Sequence, residues 1–251
     1  MPLPRRSSAA PSTDAGDRIY AIGDVHGRFD LMQALMDKVA RHHAALPPAA
    51  SLHIIFLGDL IDRGPDSLKV LDYLYQAQKK MPGLIVLQGN HEEVLLRVLG
   101  GDQRALRSWM SYGGVQTLES MGLRPPASGE DLDDCMARIR RTVPASLAAW
   151  LRRLPLTAES GDYFFCHAGV RPGVPLGRQK REDLLWIRED FLEDTTNHGA
   201  VVVHGHSINP QVDMRGNRIG IDTGAYTTGV LTALYLEGSK REVIQADQPS
   251  A

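Results

Sequence analysis

Five short polar turns, each following an apolar run and each carrying glycine, constrain this chain more than any other feature. They read Gly23-Asp24-Val25-His26-Gly27, Gly58-Asp59-Leu60-Ile61-Asp62-Arg63-Gly64, Gly89-Asn90-His91-Glu92, His167-Ala168-Gly169 and Gly205-His206-Ser207. The runs ahead of them are Arg18 to Ile22, Leu52 to Leu57, Leu84 to Leu87, Asp162 to Cys166 and Ala200 to Val203, with the length and apolar content of buried strands. Helical spacing separates the first three: Leu31, Met32, Leu35, Met36 and Val39 within Phe29 to His42, then Leu68, Leu71, Leu74 and Tyr75 within Ser67 to Lys80. A repeated strand-helix-strand rhythm predicts an α/β fold with parallel pairing. Ligands of such sheets gather at the carboxyl ends of strands, where all these turns fall.

After the third turn the periodicity changes. From about Gly100 to Ser160 only helical spacing is visible: Leu106, Trp109 and Met110, then Val115 and Leu118, then Leu132, Met136 and Ile139, then Leu147, Trp150, Leu151 and Leu154. This reads as a helical insertion, with a loop at Pro125 to Gly129. Strand character then returns, including a hairpin turning at Arg215-Gly216-Asn217 and the runs Val230 to Glu237 and Glu242 to Gln245. The expected organisation is a disordered tail over residues 1–17, a single domain over 18–246 and a short tail over 247–251.

Composition narrows the partners. A chain of 251 residues, 43% hydrophobic, has ample material for one sizeable core. Its formal net charge of −2 gives no global attraction for nucleic acid or an anionic membrane. Cys135 and Cys166 lack any CxxC partner, and Arg5-Arg6 is followed by no apolar stretch, so neither a disulfide framework nor a signal peptide is indicated. A cytoplasmic protein with no nucleic-acid or membrane partner is expected, working as a monomer.

The turns together offer Asp24, His26, Asp59, Asn90, His167 and His206, a set of oxygen and imidazole donors without a thiolate. Six such ligands exceed what one ion with an open position needs, and they suit two metals sharing a carboxylate. Two cations about 3.5 to 4 Å apart can bind phosphate oxygens and acidify a water between them. The same donors suit Mn, Fe, Zn or Co, with Mn²⁺ the first expectation.

In order and identity, GDVHG, GDLIDRG, GNHE, HAG and GHS resemble the signature motifs of the phosphoprotein phosphatase family within the calcineurin-like metallophosphoesterases. The resemblance runs from about Arg18 to Glu237, and the insertion and "DLLWIRED" look like its bacterial branch of small Ser/Thr phosphatases. It implies a β-sandwich flanked by helices, four layers in all, with a dinuclear metal centre on one edge. Carried over by residue, Asp24 and His26 would hold one metal, Asn90, His167 and His206 the other, and Asp59 would bridge them. Hydroxide activated by the metals would attack phosphorus directly, without a covalent phosphoenzyme. Arg63 and Arg188 would clamp phosphoryl oxygens, and His91, oriented by Asp62, would protonate the leaving group. Of the pair His204 and His206, the family's ligand is the one directly after glycine, His206. Tyr226 would overhang the site and contact substrate. His42, His43, His53 and His198 belong to no motif.

Two substrate classes fit the resemblance. Asp62 and Glu92 lean toward phosphoserine and phosphothreonine in proteins or peptides, with phosphotyrosine a further option. The run Arg63-Gly64-Pro65-Asp66-Ser67-Leu68 is shared with hydrolases of dinucleoside polyphosphates such as diadenosine tetraphosphate, the alternative. A non-catalytic binding module would have no use for the pair His91 and Asp62. The insertion, leaving and rejoining the sheet at ligand-bearing turns, is expected to border the groove.

Overall fold

A computed structural model describes residues 10–247 of the chain. Strands β1 (Asp17–Ile22), β2 (Ser51–Phe56) and β3 (Leu84–Val86) alternate with helices α1 (Phe29–Ala44) and α2 (Ser67–Gln78), and the three strands pair in parallel. Register places Ile22 opposite Phe56 and Phe56 opposite Val86, so all three chains leave the sheet along one edge. This alignment brings the first three polar turns together.

Five helices follow: α3 (Asn90–Leu99), α4 (Gln103–Ser111), α5 (Gly114–Ser120), α6 (Leu132–Thr142) and α7 (Ala145–Arg153). The chain then builds a second sheet from β4 (Thr157–Ser160), β5 (Tyr163–Cys166), β6 (Val201–His204), β7 (Asp213–Met214) and β8 (Arg218–Gly220), in the order β4-β5-β6-β8-β7. Short helices α8 (Arg181–Trp186) and α9 (Glu189–Leu192) lie between β5 and β6, and α10 (Ala225–Thr228) follows β8. Strands β9 (Val230–Glu237) and β10 (Lys240–Asp247) return to the first sheet, whose order is β10-β9-β1-β2-β3.

Alternation along the strands makes the layers. Ile19, Ala21, Ile55 and Leu57 from one sheet meet Phe165, Val201, Val203 and Ile219 from the other in a shared core. Tyr20, Ile22, Ile54 and Phe56 point the opposite way, beneath α1, α2 and the helical insertion. Phe164, Cys166 and Val202 are covered by Leu184, Ile187 and Phe191. The result is the four-layer α/β sandwich that the resemblance implied.

The expected boundaries need correcting. Residues 10–17, read as part of a disordered tail, are tied to the fold: Asp162 N–H donates to Ser12 O at 2.8 Å and Thr13 N–H to Gly238 O at 3.1 Å, with Thr13 buried. Residues 1–9 and 248–251 lie outside the described residues, and Asp247 closes β10 instead of opening a tail. The stretch read as helical to Ser160 ends in strand β4, whose pairing with β5 decides its conformation. Among the described residues no helix is long and apolar enough to cross a membrane. Cys135 and Cys166 are both buried and free.

Candidate metal centre

The five turns converge where the two sheets' strand ends meet, and their backbones hold one another. Val25 and His26 N–H both donate to Asp59 O, at 3.1 and 2.8 Å, while Gly205 N–H donates to His167 O at 2.8 Å. Glu92 clasps the second and third turns, accepting from Asp59 N–H (3.0 Å), Leu60 N–H (2.8 Å) and Gly89 N–H (2.8 Å). Burial, helped by the Asp59 charge, pushes the Glu92 carboxyl up to about 7.

Backbone strain is concentrated here. Among the described residues, the non-glycine residues with positive φ are His26, Asp59, Asp62, Arg63 and His206, and all five belong to the expected site. Such conformations cost of order 1–3 kcal/mol each and persist only where surrounding structure enforces them. Close approach explains two of the glycines. A Cβ on Gly205 would lie 1.9 Å from Asp24 Oδ1, and one on Gly89 would lie 2.2 Å from Asp59 Oδ1.

Asp59 sits at the centre. Its Oδ2 faces His26 Nε2 at 3.6 Å and His91 Nε2 at 3.8 Å, and its Oδ1 faces His167 Nε2 at 3.4 Å. Two groups of ligand atoms able to hold a metal ion therefore share it: His26, Asp59 and His91, and Asp59, His167 and His206. Burial works to raise the Asp59 carboxyl, but the four surrounding histidines overcome it and hold the group well below the usual carboxylate range. Asp24, also buried, is pushed well above that range by desolvation and by the charges of Asp222 and Asp59.

Some of these donor atoms have no hydrogen-bond partner in the protein, and others face another acceptor. His26 Nδ1–H donates to Ile61 O at 2.8 Å and His167 Nδ1–H to Leu57 O at 3.0 Å, which leaves each Nε2 as an acceptor facing the centre. His167 Nε2 then stands 2.8 Å from Asn90 Oδ1, two acceptors in contact. Asp24 Oδ1 and His206 Nε2 are buried with no hydrogen-bond partner. Burial drives the His26 imidazole down to about 3 and that of His206 to about 2, so both rings are neutral near pH 7. Neutral imidazoles, buried carboxylates and facing acceptors fit divalent cations.

His91 differs from these rings. Its Nδ1 lies 2.5 Å from Asp62 Oδ2, and although burial opposes the imidazolium, Asp59 and Asp62 outweigh it and raise its pKa. Asp62 in turn accepts from Trp109 Nε1 at 2.9 and 2.8 Å and from Thr117 Oγ1. Both partners come from the helical insertion, which thus borders the site. Arg63 joins the cluster, with Nη1 3.2 Å from His26 Nε2 and Nη2 3.2 Å from His91 Nε2. Its guanidinium lies 4.6 Å from the Tyr226 ring centre, and that ring packs edge-on against His26. Arg188 is exposed at the start of α9, and its charge acts on His167 and His206. The structure thus brings Asp24, His26, Asp59, Asp62, Arg63, Asn90, His91, His167, His206 and Tyr226 together, while Arg188 acts on them only through its charge. His204 turns away, its ring against Phe191 and its Nδ1 on Gly205 O. His42 pairs with Tyr20.

Sequence reasoning missed Asp222, Trp109 and Thr117. Asp222 had a signal, because Gly220-Ile221-Asp222-Thr223-Gly224 is another polar turn after a strand. Trp109 and Thr117 had none: helical spacing assigns Trp109 to a core, and Thr117 lies between Val115 and Leu118 in no motif.

The sequence profile of the calcineurin-like phosphoesterases matches residues 17–229. The chain belongs to that family. Among curated relatives of this phosphoesterase, a symmetrical bis(5'-nucleosyl)-tetraphosphatase of Vibrio cholerae is 32% identical over 153 residues, 61% of the chain and 45% of the relative. One from Legionella pneumophila is 32% identical over 181 residues, 71% of the chain and 53% of the relative. The chain thus spans about half the length of the curated relatives it matches. A cold-active protein tyrosine phosphatase shares the fold, with a TM-score of 0.58 at 18% identity over 92% of the chain and 81% of that structure.

Proposed function

We propose that this phosphoesterase hydrolyses dinucleoside polyphosphates of the diadenosine tetraphosphate type, cleaving them symmetrically into two nucleoside diphosphates. The reading reverses the order of preference drawn from Asp62 and Glu92. It is carried by the similarity to symmetrical tetraphosphatases, 32% identical over 153 and 181 residues. Exposed aromatic rings add support. Trp186 lies 6.5 Å from the His206 ring, and Tyr112 precedes Gly113, whose carbonyl accepts from Arg63 N–H. The Trp186 ring stands beside the His206 half of the centre, where a base can stack.

Asp24, His26 and Asp59 would hold one divalent ion, and Asp59, Asn90, His167 and His206 the other. Bound metals would supply Lewis acidity and activate water. Arg63 and Arg188 bind equatorial phosphoryl oxygens by charge-assisted hydrogen bonds. Asp59 and Asp62 favour the protonated form of His91, whose Nε2–H would donate to the leaving oxygen once phosphoryl oxygens draw Arg63 away.

A second reading, a phosphomonoesterase for phosphoserine and phosphothreonine, is favoured by that Asp62–His91 pair. An alkoxide needs a proton as it departs, whereas a nucleoside diphosphate leaves readily without one. Competition between diadenosine tetraphosphate and a phosphoserine peptide on Mn²⁺-loaded protein decides the order. The first reading expects the higher kcat/KM for the dinucleotide, with ADP as the nucleotide product. A higher value for the peptide would establish the second.

A further inference from the structure

Asp222 enters the centre from β8, the strand beside the one that delivers His206. Register pairs His204 with Gly220, so Asp222 projects from the same sheet edge as His206. It is 3% exposed, and Gly224 N–H donates to its Oδ1 at 2.9 Å. Gly23, the residue before Asp24, packs against this segment so closely that a Cβ there would lie 2.5 Å from Ile221 O and 3.6 Å from Asp222 N, which sets Asp222 beside Asp24, and the Asp59 charge acts on its carboxyl.

Three carboxylates, those of Asp24, Asp59 and Asp222, thus share one buried region. Repulsion among charges taken out of water is expensive unless a cation or a proton neutralises them. Arg63 is a cation whose charge acts on both Asp24 and Asp222. Yet its terminal nitrogens are engaged with His26 and His91, and Asp24 Oδ1, buried in a residue only 1% exposed, receives no hydrogen bond. A protein selected for stability alone gains nothing by adding a third acid there. A site for a divalent ion gains charge.

We infer that Asp222 acts beside Asp24 as a further anionic residue of the first metal position, strengthening its hold on a divalent cation. It is a positioning residue, whose charge acts through Asp24 and the ion. The inference does not depend on which phosphoester the protein cleaves.

The test is a titration of metal-stripped protein with Mn²⁺ alone, followed by calorimetry, together with the melting temperature of the metal-free form. Asp222→Asn keeps an oxygen to accept from Gly224 N–H and removes only the charge. It should weaken at least one Mn²⁺ binding event by about 10- to 100-fold, the range for groups that support metal ligands. The metal-free melting temperature should be unchanged or higher. A structural role predicts the reverse, a lower metal-free melting temperature with Mn²⁺ affinity intact, and that result would overturn the inference. So would unchanged affinity at both sites. Asp222→Ser, which also offers an acceptor, repeats the test if the first variant folds poorly, and failure of both to fold would assign Asp222 to structure.

Discussion

His91 and Asp62 form a buried pair in which imidazole Nδ1 stands 2.5 Å from carboxylate Oδ2. A ring held this way presents Nε2 toward Asp59, at 3.8 Å, in the middle of the candidate centre. The pairing makes His91 an acid fixed in direction. His91→Asn should therefore lose roughly 10²- to 10⁴-fold in rate on a phosphoserine peptide, the contribution of a positioned general acid. Loss on p-nitrophenyl phosphate should be smaller, because that leaving group needs little protonation. Steady-state rates on both substrates, with metal content measured alongside, check this. Equal losses at intact metal content would give His91 a positioning role instead.

Trp109 reaches from α4 to both oxygens of Asp62. Trp109→Phe keeps most of the buried ring and deletes the donor, so the carboxylate loses a partner in a dry environment. The expected cost is about 1–3 kcal/mol in denaturant unfolding, the penalty for a buried polar group left short of hydrogen bonds. Unchanged stability would show that Thr117 and His91 satisfy Asp62 without help.

How much of this was legible in the sequence follows from the range of the forces involved. The alternation of β1, α1, β2, α2 and β3 is set by local periodicity and glycine punctuation, and the expected and observed ranges differ by at most two residues at either end. Helices α8, α9 and α10 span four to six residues each, too short for a 3.6-residue period to show. Residues 10–17 look like linker by composition, and their order comes from partners such as Asp162 and Gly238, more than 140 residues away. The metal donors were readable because each stands beside a glycine in a turn or, for His167, two residues before one. Asp62's partners were not, because an indole in a helical core stripe announces packing before hydrogen bonding.

Gly205 has a role that a methyl group would abolish. Since its Cβ would fall 1.9 Å from Asp24 Oδ1, Gly205→Ala must displace that carboxylate. Metal content after loading with Mn²⁺ should fall below that of the wild type, while Gly216→Ala, where a Cβ meets nothing within 4 Å, should load normally. Normal loading of both would remove Asp24 from the centre.

Glu130 pins the loop ahead of α6, accepting from Ala127 N–H at 2.8 Å and from Arg124 and Arg138. The Ala127 amide first, then the two arginines, lower its pKa to about 2. A depressed carboxylate stabilises the fold fully above its unfolded value, about 4.3 for glutamate, and that contribution is lost as pH falls through the folded value. Glu130→Gln should therefore lower the melting temperature at pH 7, and the difference from wild type should shrink progressively between about pH 4.3 and pH 2. A difference independent of pH would mean that packing, not charge, holds the loop.

Metal loading read against turnover tests the central claim most directly. Metal-stripped protein is titrated with Mn²⁺, and bound metal and hydrolysis of diadenosine tetraphosphate are measured in the same samples. Hydrolysis should be absent at the start and rise as ions bind, up to two per chain, with Asp59→Asn binding more weakly at both positions because it removes the shared charge. Full turnover by protein free of metal would contradict the account.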